Sequence, residues 1–272
     1  MSPKNTSAKF ASNFRIFLAN NGNAEMPAAF IALCAFAFVG SVAATVYFCR
    51  TMGGGMHMPG GWTMSMMWMR MDGQTWFASA AMFLLMWLAM MVAMMLPSAL
   101  PTFLRTHRRW NSLCGMASGY FAVWLAAGVV IYAPGVVLAT LEMQSDLLSR
   151  AVPWLVGASL IAAGGVQFTR WKIIYLSRCR SPFGCAASCP QNQTGFQLGC
   201  RQGITCCLCC ASPMLILVML GMMNPFVILG VAIVIAAEKI FPRPEMVARL
   251  VGILAIFAGL AALGTASWAG NG

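Results

Sequence analysis

Eight of the chain's 11 cysteines fall between residues 179 and 210: Cys179, Cys185, Cys189, Cys200, Cys206, Cys207, Cys209 and Cys210. The densest run is Cys206-Cys207-Leu208-Cys209-Cys210. On a helix, Cys206 shares a face with Cys209 and Cys210, and Cys207 shares one with Cys210. Two thiols three or four residues apart can clamp one soft ion. The thiolate is the ligand, and nearby Arg201 favours that form. The earlier spacing, Cys-x₅-Cys-x₃-Cys-x₁₀-Cys, differs from the paired Cys-x₂-Cys knuckles of structural zinc, so zinc ranks below a softer metal. Packing as a small hydrophobe and acylation at a membrane face are the competing readings.

A second soft-donor group lies upstream. Residues 52–71 hold eight Met and one His: Met52, Met56, His57, Met58, Met64, Met66, Met67, Met69 and Met71. Thioethers are soft donors that select Cu(I), and imidazole binds copper as well. Met56-His57-Met58 offers three such donors in a row, and the surrounding glycines leave the backbone free to fold around a small ion. Met82, Met86, Met90 and Met94 follow at intervals of four, with Met91 and Met95 as a neighbouring pair. On a helix they form a stripe leading away from the loop. A ladder of weak ligands can pass an ion stepwise. Ordinary packing by a flexible apolar side chain is the competing reading for the stripe.

The elements that position these groups follow from composition. The 272 residues are 60% hydrophobic and only 8% charged, with a mean hydropathy of +0.76. That charge is too little to cover a water-facing surface. Apolar runs of about 20 residues cross a bilayer, and in lipid they must be helices or closed barrels. Continuous runs without alternation select helices. The expected fold is therefore an all-α, polytopic transmembrane bundle in a single membrane domain over residues 1–272. About seven spans are expected, at 27–49, 76–100, 113–140, 152–176, 202–221, 223–240 and 246–267. The first is longer than the apolar core of a cleaved signal peptide. The break at Met222-Met223-Asn224-Pro225 reads as either a turn or a kink.

Of the 17 Lys and Arg, 14 fall in segments on one side of these spans, and only Arg50, Arg70 and Arg150 on the other. The positive-inside rule then places the N-terminus inside, with a cytoplasmic segment at 1–26, an irregular outer Met/His-rich loop at 50–75 and a Cys-rich cytoplasmic loop at 177–201. A reducing cytoplasm argues against disulfides there. The net charge of +11 thus serves topology, and nucleic acid is not an expected partner. Glu238 and Lys239 are expected to satisfy each other at the membrane interface, and Gln167, a polar residue within the fourth span, is a similar hint of function. His107, beside Arg108 and Arg109, reads as interfacial. Cys34, Cys49 and Cys114 read as packing. No phosphate loop, G-x-S-x-G, H-E-x-x-H or C-x-x-C-H is present, so no enzyme is expected.

Several segments together resemble a bacterial family of predicted metal-binding integral membrane proteins. They are Pro59-Gly60-Gly61-Trp62-Thr63-Met64, Met90-Met91-Val92-Ala93-Met94-Met95-Leu96-Pro97-Ser98 with Ala99-Leu100-Pro101, and Cys179-Arg180-Ser181-Pro182. Gly199-Cys200 through Cys206-Cys207, Gly221-Met222-Met223-Asn224 and Glu238-Lys239 complete the set. The resemblance runs from about residue 50 onward. Some members are membrane copper chaperones that supply a copper-dependent oxidase of the tyrosinase type, which implies copper handling here. The family has one Cys-Cys pair followed by an aromatic residue in the fifth span. Here Cys206-Cys207 and Cys209-Cys210-Ala211 both compete for that position.

The expected function is that of a copper-binding protein of the bacterial inner membrane, a chaperone handling Cu(I) for a partner cuproenzyme. The expected ligands are Met56, His57, Met58, Met64, Met67, Met86, Met90, Met91, Met94, Met95, Cys200, Cys206, Cys207, Cys209 and Cys210. A copper transporter and a metal-free assembly subunit of a membrane complex are the alternatives. Vesicle flux separates the first alternative, and the absence of bound metal the second.

Overall fold

A computed structural model describes residues 25–58, 62–65, 68, 73–106, 110–180 and 194–270. Eight helices follow in order: α1 Glu25–Met52, α2 Trp76–Thr106, α3 Trp110–Gln144, α4 Asp146–Val166, α5 Arg170–Arg180, α6 Gly195–Leu220, α7 Pro225–Ile240 and α8 Pro244–Gly270. Between α1 and α2, β1 (Gly55–Met58) and β2 (Trp62–Ser65) pair as an antiparallel ribbon. The loop between the first two spans, expected to be irregular, is therefore partly ordered by main-chain pairing.

Among the described residues, six helices are long and apolar enough to cross a membrane: Ala28–Met52, Trp76–Leu104, Trp110–Gln144, Leu147–Val166, Gly195–Leu220 and Pro244–Ser267. The chain is a polytopic helical membrane protein. Three details differ from the expected layout, the first being that α6 starts at Gly195, inside the Cys-rich loop expected at 177–201, which makes Cys200 helical. The run expected at 152–176 is broken: α4 stops at Val166, a turn covers 167–169, and α5 is a separate helix of 11 residues. The span expected at 223–240 is α7, whose 16 residues extend roughly 24 Å, short of a hydrocarbon core of about 30 Å. The 222–225 break is a turn. Gly221 has a φ of 106°, Asn224 accepts the Phe226 N–H at 3.0 Å as N-cap, and Pro225 opens α7 where its missing donor costs nothing.

Glycines set the helix crossings. A Cβ on Gly119 would collide with the Phe196 carbonyl, and one on Gly203 would lie 2.9 Å from the Tyr120 carbonyl, so α3 and α6 run parallel in close contact. A Cβ on Gly164 would come within 2.7 Å of the Gly252 carbonyl, and one on Gly259 within 2.7 Å of the Gly157 carbonyl. Helices α4 and α8 are thus antiparallel along matching glycines spaced by seven. Small residues let backbones approach where lipid supplies no hydrophobic drive to association.

Helices α2 and α6 are the most buried of these spans. Trp87 donates Nε1–H to the Trp124 carbonyl at 2.8 Å and fills the space beside Gly128. Phe83 packs between Trp68 and Tyr132, with ring centroids 5.4 and 4.8 Å away. Helix α6 begins with a capping box, in which the Thr194 hydroxyl accepts the Gln197 N–H and the Gln197 side chain accepts the Thr194 N–H. Deeper in, Ser212 donates to the Ala163 carbonyl at 2.6 Å and ties α6 to α4.

Candidate functional site

The soft donors of α2 and α6 meet inside the bundle. Met95 Sδ lies 4.0 Å from Cys206 Sγ. Cys206 is about 11 residues into α6, roughly 16 Å along its axis. Cys206, Cys209 and Cys210 are all fully buried, because positions three and four apart keep one face of α6 toward the core. From α5, Cys179 comes near the same cluster; the neighbouring Cys206 and Cys209 thiols first, and burial next, push its own thiol well above the ordinary range. Cys210 lies one helical turn beyond Cys206 on the same buried face. Among the described residues no three His, Cys, Asp or Glu side chains already converge on one ion position, so a metal at these thiols requires them to rotate.

The sulfur of Cys206 has two further donors. The Tyr120 hydroxyl donates to it at 3.0 Å and the Lys239 ammonium at 3.3 Å. Lys239 also donates to Ser98 Oγ at 2.8 Å and lies 3.9 Å from Met95 Sδ. A phenol and an ammonium aimed at one sulfur make the environment a thiolate needs, and thiolate is the form that ligates a metal. Arg201, the expected source of positive charge, is exposed on α6, five residues and therefore well over a quarter-turn from Cys206. Lys239 of α7 takes that place.

Glu238 and Lys239 do not pair with each other. Neighbours on a helix point about 100° apart, so they serve different partners. Glu238 forms a 2.7 Å ion pair with Lys172 of α5, and both side chains are buried. Gln167 Nε2 donates to the other carboxylate oxygen at 3.2 Å, and Lys172 also donates to the Cys209 carbonyl at 2.8 Å. Arg180 donates to the Glu238 carbonyl at 3.1 Å and to the Phe241 carbonyl, covering the end of α7. Partial burial lowers its guanidinium below the usual value. Through these bonds the short α5 is held against α6 and α7, which brings Cys179 to the other thiols.

The remaining candidates divide. Met86, Met90, Met91 and Met94 are buried with Met95 in one core with Cys206, Cys209, Cys210, Met116, Met214, Met222 and Met223. Met82, first in the expected stripe, is 39% exposed. Steps of four residues advance 400°, so such a row drifts by about 40° per step and leaves the core side. Cys200 and Cys207 are half-buried: the Cys200 backbone lies against Gly119 of α3, and Cys207 packs at the edge of the core that holds Met95 and Cys206. In the ribbon, Met56 stands opposite Met64, His57 opposite Thr63 and Met58 opposite Trp62. Met67, Cys185, Cys189 and His107 lie outside the described residues. Tyr120, Met116 and Met214 have no counterpart among the expected site residues, and Ser98 entered only as part of the segment that carries the family resemblance. A serine, a tyrosine or an isolated methionine in an apolar run carries no signal there.

A family profile described as a copper chaperone, PpoB2, matches residues 84–262. The chain belongs to the PpoB2 copper chaperone family. The match spans the α2 methionines from Met86 onward, Tyr120, every cysteine of α5 and α6, and Glu238-Lys239. No curated protein and no solved structure matches the chain. For a copper chaperone the metal is cargo. The donors gathered at Met95 and Cys206, one thioether and one thiol with the buried Cys209 and Cys210 in the same core, are the soft set that suits copper rather than a hard cation.

Proposed function

We propose that this copper chaperone carries Cu(I) within the bacterial inner membrane and delivers it to a copper-dependent oxidase. The observation that carries the reading is the 4.0 Å approach of Met95 Sδ and Cys206 Sγ, from helices 111 residues apart in sequence, inside the bundle. Cys209, Cys210 and Cys179 supply further thiolates once rotated toward the ion, each giving up its proton on binding. The buried α2 methionines, Met86, Met90, Met91 and Met94, form a weaker soft lining between the ribbon end and this cluster. In this reading Met56, His57, Met58, Met64 and Met67 capture or present the ion at the outer face, and Cys200 and Cys207 are secondary donors. Zinc is the poorer match, because thioethers take part in the donor set. The basic end, with α5 and the 240–244 turn, faces the cytoplasm in this assignment.

The test is the metal content of the protein in mild detergent after anaerobic Cu(I) loading, beside a form with Cys206, Cys209 and Cys210 replaced by serine. Near-stoichiometric copper that disappears with the thiols supports the reading. Equal copper in both forms, or none in either, overturns it. Sealed vesicles containing the protein separate handover from transport: a chaperone holds copper and releases it to an acceptor without moving it across.

A further inference from the structure

The Lys239 ammonium sits against the two sulfurs that the reading above assigns to copper. Its Nζ is 3.3 Å from Cys206 Sγ and 3.9 Å from Met95 Sδ, and those sulfurs are 4.0 Å from each other. The three atoms form a compact triangle. An ion bridging the sulfurs would lie roughly 3 Å from the ammonium, two positive charges at contact distance in a water-poor interior. Ser98 Oγ, 2.8 Å from Nζ, offers the ammonium a second anchor just off the sulfur pair. The neighbouring carboxylate does not quench the charge, because Glu238 is engaged by Lys172 and Gln167.

We propose that Lys239 is a tethered competing cation: it occupies the Met95–Cys206 sulfur pair in the metal-free protein, gives way toward Ser98 when Cu(I) enters, and returns to hasten release. This inference rests on the copper reading of the same site. Lys239 is a positioning residue and never a ligand. In the exchange, ammonium–sulfur hydrogen bonds break and copper–sulfur coordinate bonds form, with Cys206 taking part as the thiolate and no change of oxidation state. Cys206 and Met95 trade an ammonium contact for a metal contact, and the tethered charge keeps the site from holding its cargo too tightly for handover. Binding weak enough to leave is a general requirement of passage sites.

The experiment compares Cu(I) affinity and release in wild type, Lys239→Gln, Lys239→Leu and Lys239→Arg, by competition with a chromophoric Cu(I) chelator under anaerobic conditions. Cys206→Ser serves as the reference for the site itself. The neutral variants are expected to bind Cu(I) about tenfold or more tightly and release it correspondingly slowly, the scale of a nearby like charge removed. Lys239→Arg keeps the charge and is expected to stay near wild type, which a purely structural role would not produce. In wild type with ¹⁵N-labelled lysine, one ammonium resonance should shift on loading and be absent from Lys239→Gln. That resonance also decides the matter if the neutral variants fail to fold. Wild type that loads through Cys206, with neutral variants no tighter or with no lysine resonance moving, overturns the inference alone. Wild type whose binding matches Cys206→Ser overturns the copper reading together with it.

Discussion

Lys172 and Glu238, 66 residues apart, form a 2.7 Å ion pair with side chains 0% and 1% exposed. The pair joins the short α5 to α7 and, through the Lys172 bond to the Cys209 carbonyl, to the thiol-bearing turn of α6. A buried charge that loses its partner is far worse off than two charges removed together. Glu238→Gln and Lys172→Met should therefore each destabilise the protein by about 3–5 kcal/mol, and the double variant by less than either. Thermal unfolding in detergent as a double-mutant cycle reads this. Additive losses would mean that the two side chains are not coupled.

Cys206 and Cys207 are adjacent but are placed in different surroundings, and the copper assignment separates them. Cys206→Ser should remove most of the bound copper, whereas Cys207→Ser should leave the stoichiometry close to wild type. Elemental analysis after anaerobic loading distinguishes them. Equal losses would point instead to Cys206-Cys207 as the working pair.

The outer ribbon and the buried cluster have different roles in the proposal, and kinetics should show it. Replacing Met56, His57 and Met58 together should slow loading while leaving final capacity near wild type. Stopped-flow transfer from a Cu(I) donor measures the rate. Unchanged rates would remove the outer segment from the copper path.

Gly199 packs its α-carbon directly against the Met116 backbone, and Gly164 lies against Gly252, whereas Gly165 has open space where a Cβ would sit. Gly199→Ala and Gly164→Ala should each cost about 1–3 kcal/mol through forced separation of helices, and Gly165→Ala should be neutral or slightly stabilising. Melting temperatures of the three variants provide the check. Equal tolerance at all three would contradict the close crossings.

Trp87→Phe should cost about 1 kcal/mol, the worth of one hydrogen bond, since the ring volume is largely kept. The Trp124 carbonyl keeps its helical partner and is not orphaned, which limits the loss. Chemical denaturation of reconstituted protein measures it. A loss several times larger would mean that the indole edge packs more tightly than its single bond to Trp124 implies.

The sequence by itself determined the class of the protein, because each bilayer-crossing helix satisfies its own main chain and needs only a continuous apolar run. The spans expected at 76–100 and 202–221, which form the greater part of α2 and α6, were legible for this reason, and so was the common face of Cys206, Cys209 and Cys210, which depends only on the helical repeat. Tertiary structure alone decided which donors meet. Met95 and Cys206 are brought together because α2 and α6 both pack against α3, and Cys179 comes near them because α4 ends at Val166 and α5 is a separate helix packed on α6 and α7. The pairing of Glu238 with Lys172, and the approach of Lys239 to Cys206, were equally hidden. Adjacent residues on a helix face different neighbours, and the choice of neighbour depends on how separate helices pack, which no local pattern records.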